Sequence, residues 1–312
     1  MSLAHAFSAF VTGVRRVARA PAVLVAVWLL TALTTLPLAV ALQRTLARHI
    51  DSGMAADAAA SGVNYAWMQG FGDQATGLGA TFKPTIIGFG ATLDSLSGLL
   101  DNVHRPREIV AAAVVYAALW LFCAGGIITR YMCNGRSKGF LAASGEYFVR
   151  FLRLGVVMAI VYGVLFRYVH GWLFGRVYDR LVHDLTVERT AFLIRVGLYA
   201  VFGLLLAACN IVFDYAKVRT VVDGRRSMIG AIGASARFIR RHAGSALALY
   251  VADFVLFLGA VALYGVAAPS AGPGGWSIWV ALAIGQGYVL LRLAVKLVFY
   301  ASEVELFTSS LP

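Results

Sequence analysis

Charge is scarce in this chain: Asp, Glu, Lys and Arg make up 13% of its 312 residues, against 60% for apolar side chains. That excludes an ordinary water-soluble domain, in which about a quarter of the residues are charged. Acid is scarcer than base, 15 against 27, which leaves a formal net charge of +12. Cysteine is scarcer still. Cys123, Cys133 and Cys209 lie in or beside apolar runs, so a periplasmic disulfide framework is excluded. No pair has metal-ligand spacing, and all three read as small packing residues. Also missing are a P-loop, a nucleophile-base-orienter set, paired metal-binding His and a repeated Asp motif able to hold magnesium and a diphosphate. The Gly-x-Ser-x and His pattern of intramembrane proteases is missing too. The expectation is therefore a non-enzyme with no catalytic residue, metal or cofactor.

What the chain does have is long apolar runs. A bilayer-crossing helix needs roughly 20 predominantly apolar residues, and the mean hydropathy of +0.77 is carried by six such runs. They are Ala22–Leu42, Ile109–Thr129, Leu154–Val169, Ala191–Phe213, Ser245–Ala267 and Trp276–Tyr300. Six crossings put both ends on one side. Lys and Arg accumulate in cytoplasmic connections, and here they gather as Arg15, Arg16 and Arg19, as Arg130, Arg136, Lys138 and Arg150, and as seven basic residues within Asp214–Gly244. The opposite connections are balanced, with five Lys/Arg against five Asp in 43–107 and three basic against three acidic residues in 170–190. This implies a bacterial cytoplasmic (inner) membrane protein with both termini cytoplasmic. Its basic face would attract anionic lipid at about 1 kcal/mol per residue near the surface. No nucleic-acid recognition motif accompanies the charge.

The stretch Asp214–Gly244 organises the chain. Ser227 is placed to cap a helix on which Met228, Ile229, Ile232 and Ile239 recur at helical spacing, while Arg237, Arg240 and Arg241 collect at its end. The pattern predicts a basic amphipathic helix lying in the inner headgroup layer. Set Ser2 against Ser227, and Ala6, Ala9, Arg15 and Arg16 fall on Ala231, Ala234, Arg240 and Arg241. A second shift pairs Arg136, Ser137, Phe148 and Arg150 with Arg226, Ser227, Phe238 and Arg240. The expected fold is all-α: one six-span membrane domain over 1–312, made of three elbow-plus-hairpin repeats (1–130, 131–213 and 214–312), with an outer-face insertion at 43–107.

Within that insertion, Thr85–Leu100 reads as a helix on or in the outer leaflet. The Gly-rich segment before it, with Tyr65, Trp67 and Phe71, reads as a cap or a lid. The second outer connection, with His170, Trp172, Tyr178, His183 and Asp184, reads as a short amphipathic helix with a solvated face.

Charge within a span calls for a functional hypothesis. Asp253 and Arg292 come to similar depth on adjacent antiparallel spans and are expected to pair. Lys296, one turn further, is expected to snorkel to the headgroups. Gln286 and Asn210 are candidate interhelical hydrogen-bond partners. Asp214, Glu303 and Glu305 are expected to form exposed latches between the anchor helix and the C-terminal tail.

Across DYAKVRTVVDGRRS, the following GA, A and RFIRRH, and the closing LRLAVKLVFYASEVELF, the chain resembles the uncharacterised six-span bacterial inner-membrane proteins. More distantly it is similar to the membrane domain attached to some glycerophosphoryl diester phosphodiesterases. The resemblance implies a helical membrane domain with no established activity of its own. Together these readings imply a non-catalytic lipid-engaging scaffold or partner subunit, with Arg15, Arg16, Arg136, Arg150, Arg226, Arg237, Arg240 and Arg241 contacting headgroups. Its partners would be anionic membrane lipids and another membrane protein. The alternative is a transporter or permease-like subunit with a polar site near Asp253 and Arg292.

Overall fold

A computed structural model of the chain describes residues 3–50, 64–83, 88–133, 139–269 and 275–310. Every described element is helical: α1 Leu3–Ala18, α2 Pro21–Ile50, α3 Tyr65–Gln74, α4 Phe89–Leu100, α5 Arg107–Met132, α6 Phe140–Val164, α7 Glu188–Val222, α8 Met228–Arg241, α9 Ala243–Ala267 and α10 Trp276–Ser309, with a 3-10 turn at Gly79–Thr81. Six of these rods are long and apolar enough to cross a membrane: α2, α5, α6 with its extension to Val182, α7, α9 and α10. The chain is thus built as a multi-pass membrane protein.

Several rods outrun the expected spans. Beyond Val164, α6 passes through π-helical turns at Leu165–His170 and Trp172–Val177 into Tyr178–Val182, so the expected separate helix of the second outer connection is the end of this rod. His170 was placed on a solvated face. It is buried instead, with ring centroids 4.5 Å from Phe174 and 5.2 Å from Phe202. The extra residue of each π turn re-aims the aromatic side chains along this stretch. Ser2, Ser137 and Arg136 lie outside the described residues, and α6 runs unbroken from Phe140 into its span.

The helices group into two compact units, whose boundaries fall within α1, α5, α9 and α10. The first comprises Met1–Arg16, Leu121–Val251 and Phe299–Pro312. Its core is the end of α7, where Phe213 to Val218 are buried without interruption, and the end of α10, where Tyr300 to Val304 are likewise buried. A helix buried all round must be enclosed by neighbours. One of these is α8, which runs antiparallel along α7. Thr220 Oγ1 donates to Met228 Sδ at 3.8 Å, Arg219 Nη1 donates to the Ala234 carbonyl at 2.8 Å, and Tyr215 meets Phe238 at 5.3 Å. Ser227 caps α8 as expected, its Oγ accepting from Gly230 N at 3.2 Å. The preceding turn needs Gly224, which has φ +63°.

Met228, Ala231, Ala234, Ser235 and Phe238 form the inward face of α8, while Ile229 is 78% exposed. The face that packs on protein is therefore rich in small residues, and of the apolar stripe Met228 and Ile232 join it while Ile229 does not. The same holds for α1, where Ala6 and Ala9 are buried and a Cβ at Gly13 would stand 2.8 Å from Ser302 N on α10. The pairs matched in sequence, Ala6 with Ala231 and Ala9 with Ala234, are thus all buried.

The second unit comprises Val17–Trp120 and Ala252–Val298. Trp28 Nε1 on α2 donates to Gln286 Oε1 on α10 at 2.9 Å. Asn64 caps α3 through Trp67 N at 3.0 Å. Phe71 is buried between Trp67, Phe82 and His49, which lies at the end of α2. At the start of α4, Gly88 (φ +71°) would place a Cβ 2.7 Å from the Pro269 carbonyl at the end of α9. The described part of 43–107 therefore packs on the ends of α2 and α9.

Candidate functional site

The first unit encloses a continuous polar network. On α7, Asn210, Asp214 and Lys217 follow at intervals of four and three residues, which places them on one side of the helix. Lys217 Nζ donates to Asp214 Oδ1 at 2.7 Å and lies 3.4 Å from the Tyr300 hydroxyl of α10. Asn210 Nδ2 donates to Asp214 Oδ2 at 2.9 Å and to the Tyr250 hydroxyl of α9 at 2.8 Å. The Tyr162 hydroxyl of α6 closes the chain, donating to Asn210 Oδ1 at 3.3 Å.

Both carboxylate oxygens and both amide hydrogens are thereby engaged. Asp214 and Lys217 are buried, so the exposed latch expected for Asp214 is instead an internal ion pair satisfied by its surroundings. The two side chains hold one another as a clamp. The arrangement fixes the relative positions of α6, α7, α9 and α10 within this unit.

The expected headgroup residues divide. Arg15, Arg226, Arg237, Arg240 and Arg241 are exposed on or beside α1 and α8. Arg150 is half-buried, its guanidinium 5.3 Å from the Tyr147 ring centroid. Arg136 lies outside the described residues. Arg16 is engaged, since its Nη2 bonds Glu305 Oε2 on α10. Glu305 is thus a latch, but to the first helix and not to the anchor helix. Asp223 takes both Arg219 Nε at 2.9 Å and Arg225 Nε at 3.1 Å, closing the turn between α7 and α8.

In the second unit the expected Asp253–Arg292 pair is not among the ion pairs of the described residues. Asp253 is fully buried, while Arg292 is exposed with its guanidinium 5.6 Å from the Tyr288 ring centroid. Lys296 Nζ stands 3.5 Å from the Trp120 ring centroid and 6.0 Å from that of Tyr116, so aromatic faces contact this cation. Gln286 and Asn210, the two amides singled out in sequence, both make interhelical hydrogen bonds.

Lys217 and Arg219 are the bases expected to meet the acids of this face, and Lys217 does pair with Asp214. Tyr162, Tyr250 and Tyr300 escaped the sequence reading. The tyrosines carried no signal, since Tyr is common at membrane interfaces. Among the described residues, no three His, Cys, Asp or Glu side chains gather where they could share a metal ion. The chain matches no known family model, no curated protein and no solved structure.

Proposed function

We propose that this chain is a non-catalytic scaffold or partner subunit of a bacterial cytoplasmic membrane, with both termini cytoplasmic. In this reading α1 and α8 are amphipathic elbows of a repeated unit that grip anionic lipid. The observation that carries the reading is the division of α8, whose small-residue face packs on α7 while Arg237, Arg240 and Arg241 stand exposed outside it. The same division on α1, with Ala6 and Ala9 inward and Arg15 outward, supports the repeat. Protein burial of one face fixes each elbow in place, so its arginines are presented without a further ordering cost. Neutralising Arg240 and Arg241 to Gln lowers retention on phosphatidylglycerol liposomes in low salt. Unchanged retention refutes the reading.

A further inference from the structure

An exposed guanidinium inside a span raises the question of what balances its charge. Arg292 follows Trp276, the outer interface anchor expected from sequence, by sixteen residues, a rise of about 24 Å. The hydrocarbon core is about 30 Å thick, so the Cα lies inside it. Arginines near a membrane boundary normally extend toward the nearer headgroups. Arg292 does the reverse: its guanidinium lies over Tyr288, one turn back toward Trp276 and away from the basic end of the helix. Tyr288 is in turn stacked on Tyr264, with centroids 4.0 Å apart and rings within 7° of parallel, so the aromatic platform is rigid. The charge is exposed there, and no carboxylate among the described residues pairs with it.

The surrounding surface suits a helix. Ala281 and Gly285 precede Arg292 at eleven and seven residues, on the same side of α10, and form the small-xxx-small spacing that admits close approach of a transmembrane helix. A Cβ built at Gly285 meets nothing within 4 Å, so the space beside it is open.

We propose that this side of α10 docks a transmembrane helix of a different membrane protein, one carrying an Asp or Glu at the level of Arg292 that pairs with it. The proposal rests on the partner-subunit half of the function proposed above. A second copy of this chain does not fit: Asp214, Asp253 and Glu303 are all buried, and Glu146 and Glu305 lie beyond the apolar runs. The contact with Tyr288 sets the guanidinium back along α10, at a level that an acidic side chain on a neighbouring span can reach.

The test uses the full chain in neutral phosphatidylcholine vesicles with a dye-labelled poly-leucine transmembrane peptide. The peptide carries two glycines four residues apart and a single Asp one heptad beyond, and is compared with its Asp→Leu counterpart by energy transfer. The Asp peptide associates at least tenfold more tightly than the Leu peptide. That preference disappears in Arg292→Gln and is largely kept in Arg292→Lys, while Gly285→Ile lowers association of the Asp peptide with the charge intact. Equal association of the two peptides, or a preference undiminished in Arg292→Gln or Gly285→Ile, overturns the proposal. So does loss of the preference on adding a few per cent phosphatidylglycerol, which would assign Arg292 to lipid phosphate. Liposome retention through the α1 and α8 arginines, measured on the same preparations, fails or succeeds independently.

Discussion

Lys217 Nζ lies 2.7 Å from Asp214 Oδ1, one turn away on α7, with both side chains buried and the carboxylate also accepting from Asn210. Removing one member of a buried pair leaves the other charge without compensation, at about 3–5 kcal/mol. Lys217→Met and Asp214→Leu should each lower the unfolding midpoint in detergent sharply, and the double variant should recover most of the loss. Equal and additive losses would show that the two groups act separately.

Trp28 and Gln286 join α2 to α10 within the second unit through a 2.9 Å hydrogen bond. Coupling energies of such bonds in membrane proteins average about 0.6 and reach about 1.7 kcal/mol. A double-mutant cycle with Trp28→Phe and Gln286→Leu should fall in that range; zero coupling would contradict the contact.

Arg16 differs from its sequence counterpart Arg241, which is exposed, because Glu305 holds it. Arg16→Gln should therefore loosen α1 by about 1.5–3 kcal/mol, as for a hydrogen bond to a charged group. The effect on liposome retention should be small. Swapping the charges, Arg16→Glu with Glu305→Arg, should restore protease resistance of the N-terminal helix. Failure of the swap to rescue would show that the pair does not hold the helix.

Much of the scaffold was legible in the sequence because the bilayer imposes a simple constraint on length and polarity. All six expected runs lie within long helices, and the Ser227 cap and the α8 limits emerged as predicted. Failures arose where the answer depended on which side of a helix a residue faces. Asp253 and Arg292 matched in depth yet point to different surroundings. His170 was misplaced because π turns, which have no composition signal, rotate it inward.

Helices α5 and α6 meet at Gly126, where a Cβ would stand 2.5 Å from Ser144 Oγ and 2.8 Å from the Phe140 carbonyl. Gly126→Ala should destabilise by about 1–3 kcal/mol, as overpacking does. Gly145, exposed on α6 with nothing within 4 Å of its Cβ, is the control. Gly145→Ala should be neutral or stabilising by up to about 1 kcal/mol from helix propensity. Equal effects at both sites would contradict the packing of α5 on α6.

The placement of the two arginine-bearing elbows can be read directly by cysteine labelling. In a chain freed of its native cysteines, Ser8→Cys on α1 and Ala236→Cys on α8, both exposed positions, would be treated with a membrane-impermeant maleimide in sealed cells, with Asp184→Cys for comparison. The account predicts that position 184 labels in intact cells, whereas positions 8 and 236 label only after the membrane is opened. Labelling of position 8 or 236 from outside would contradict it.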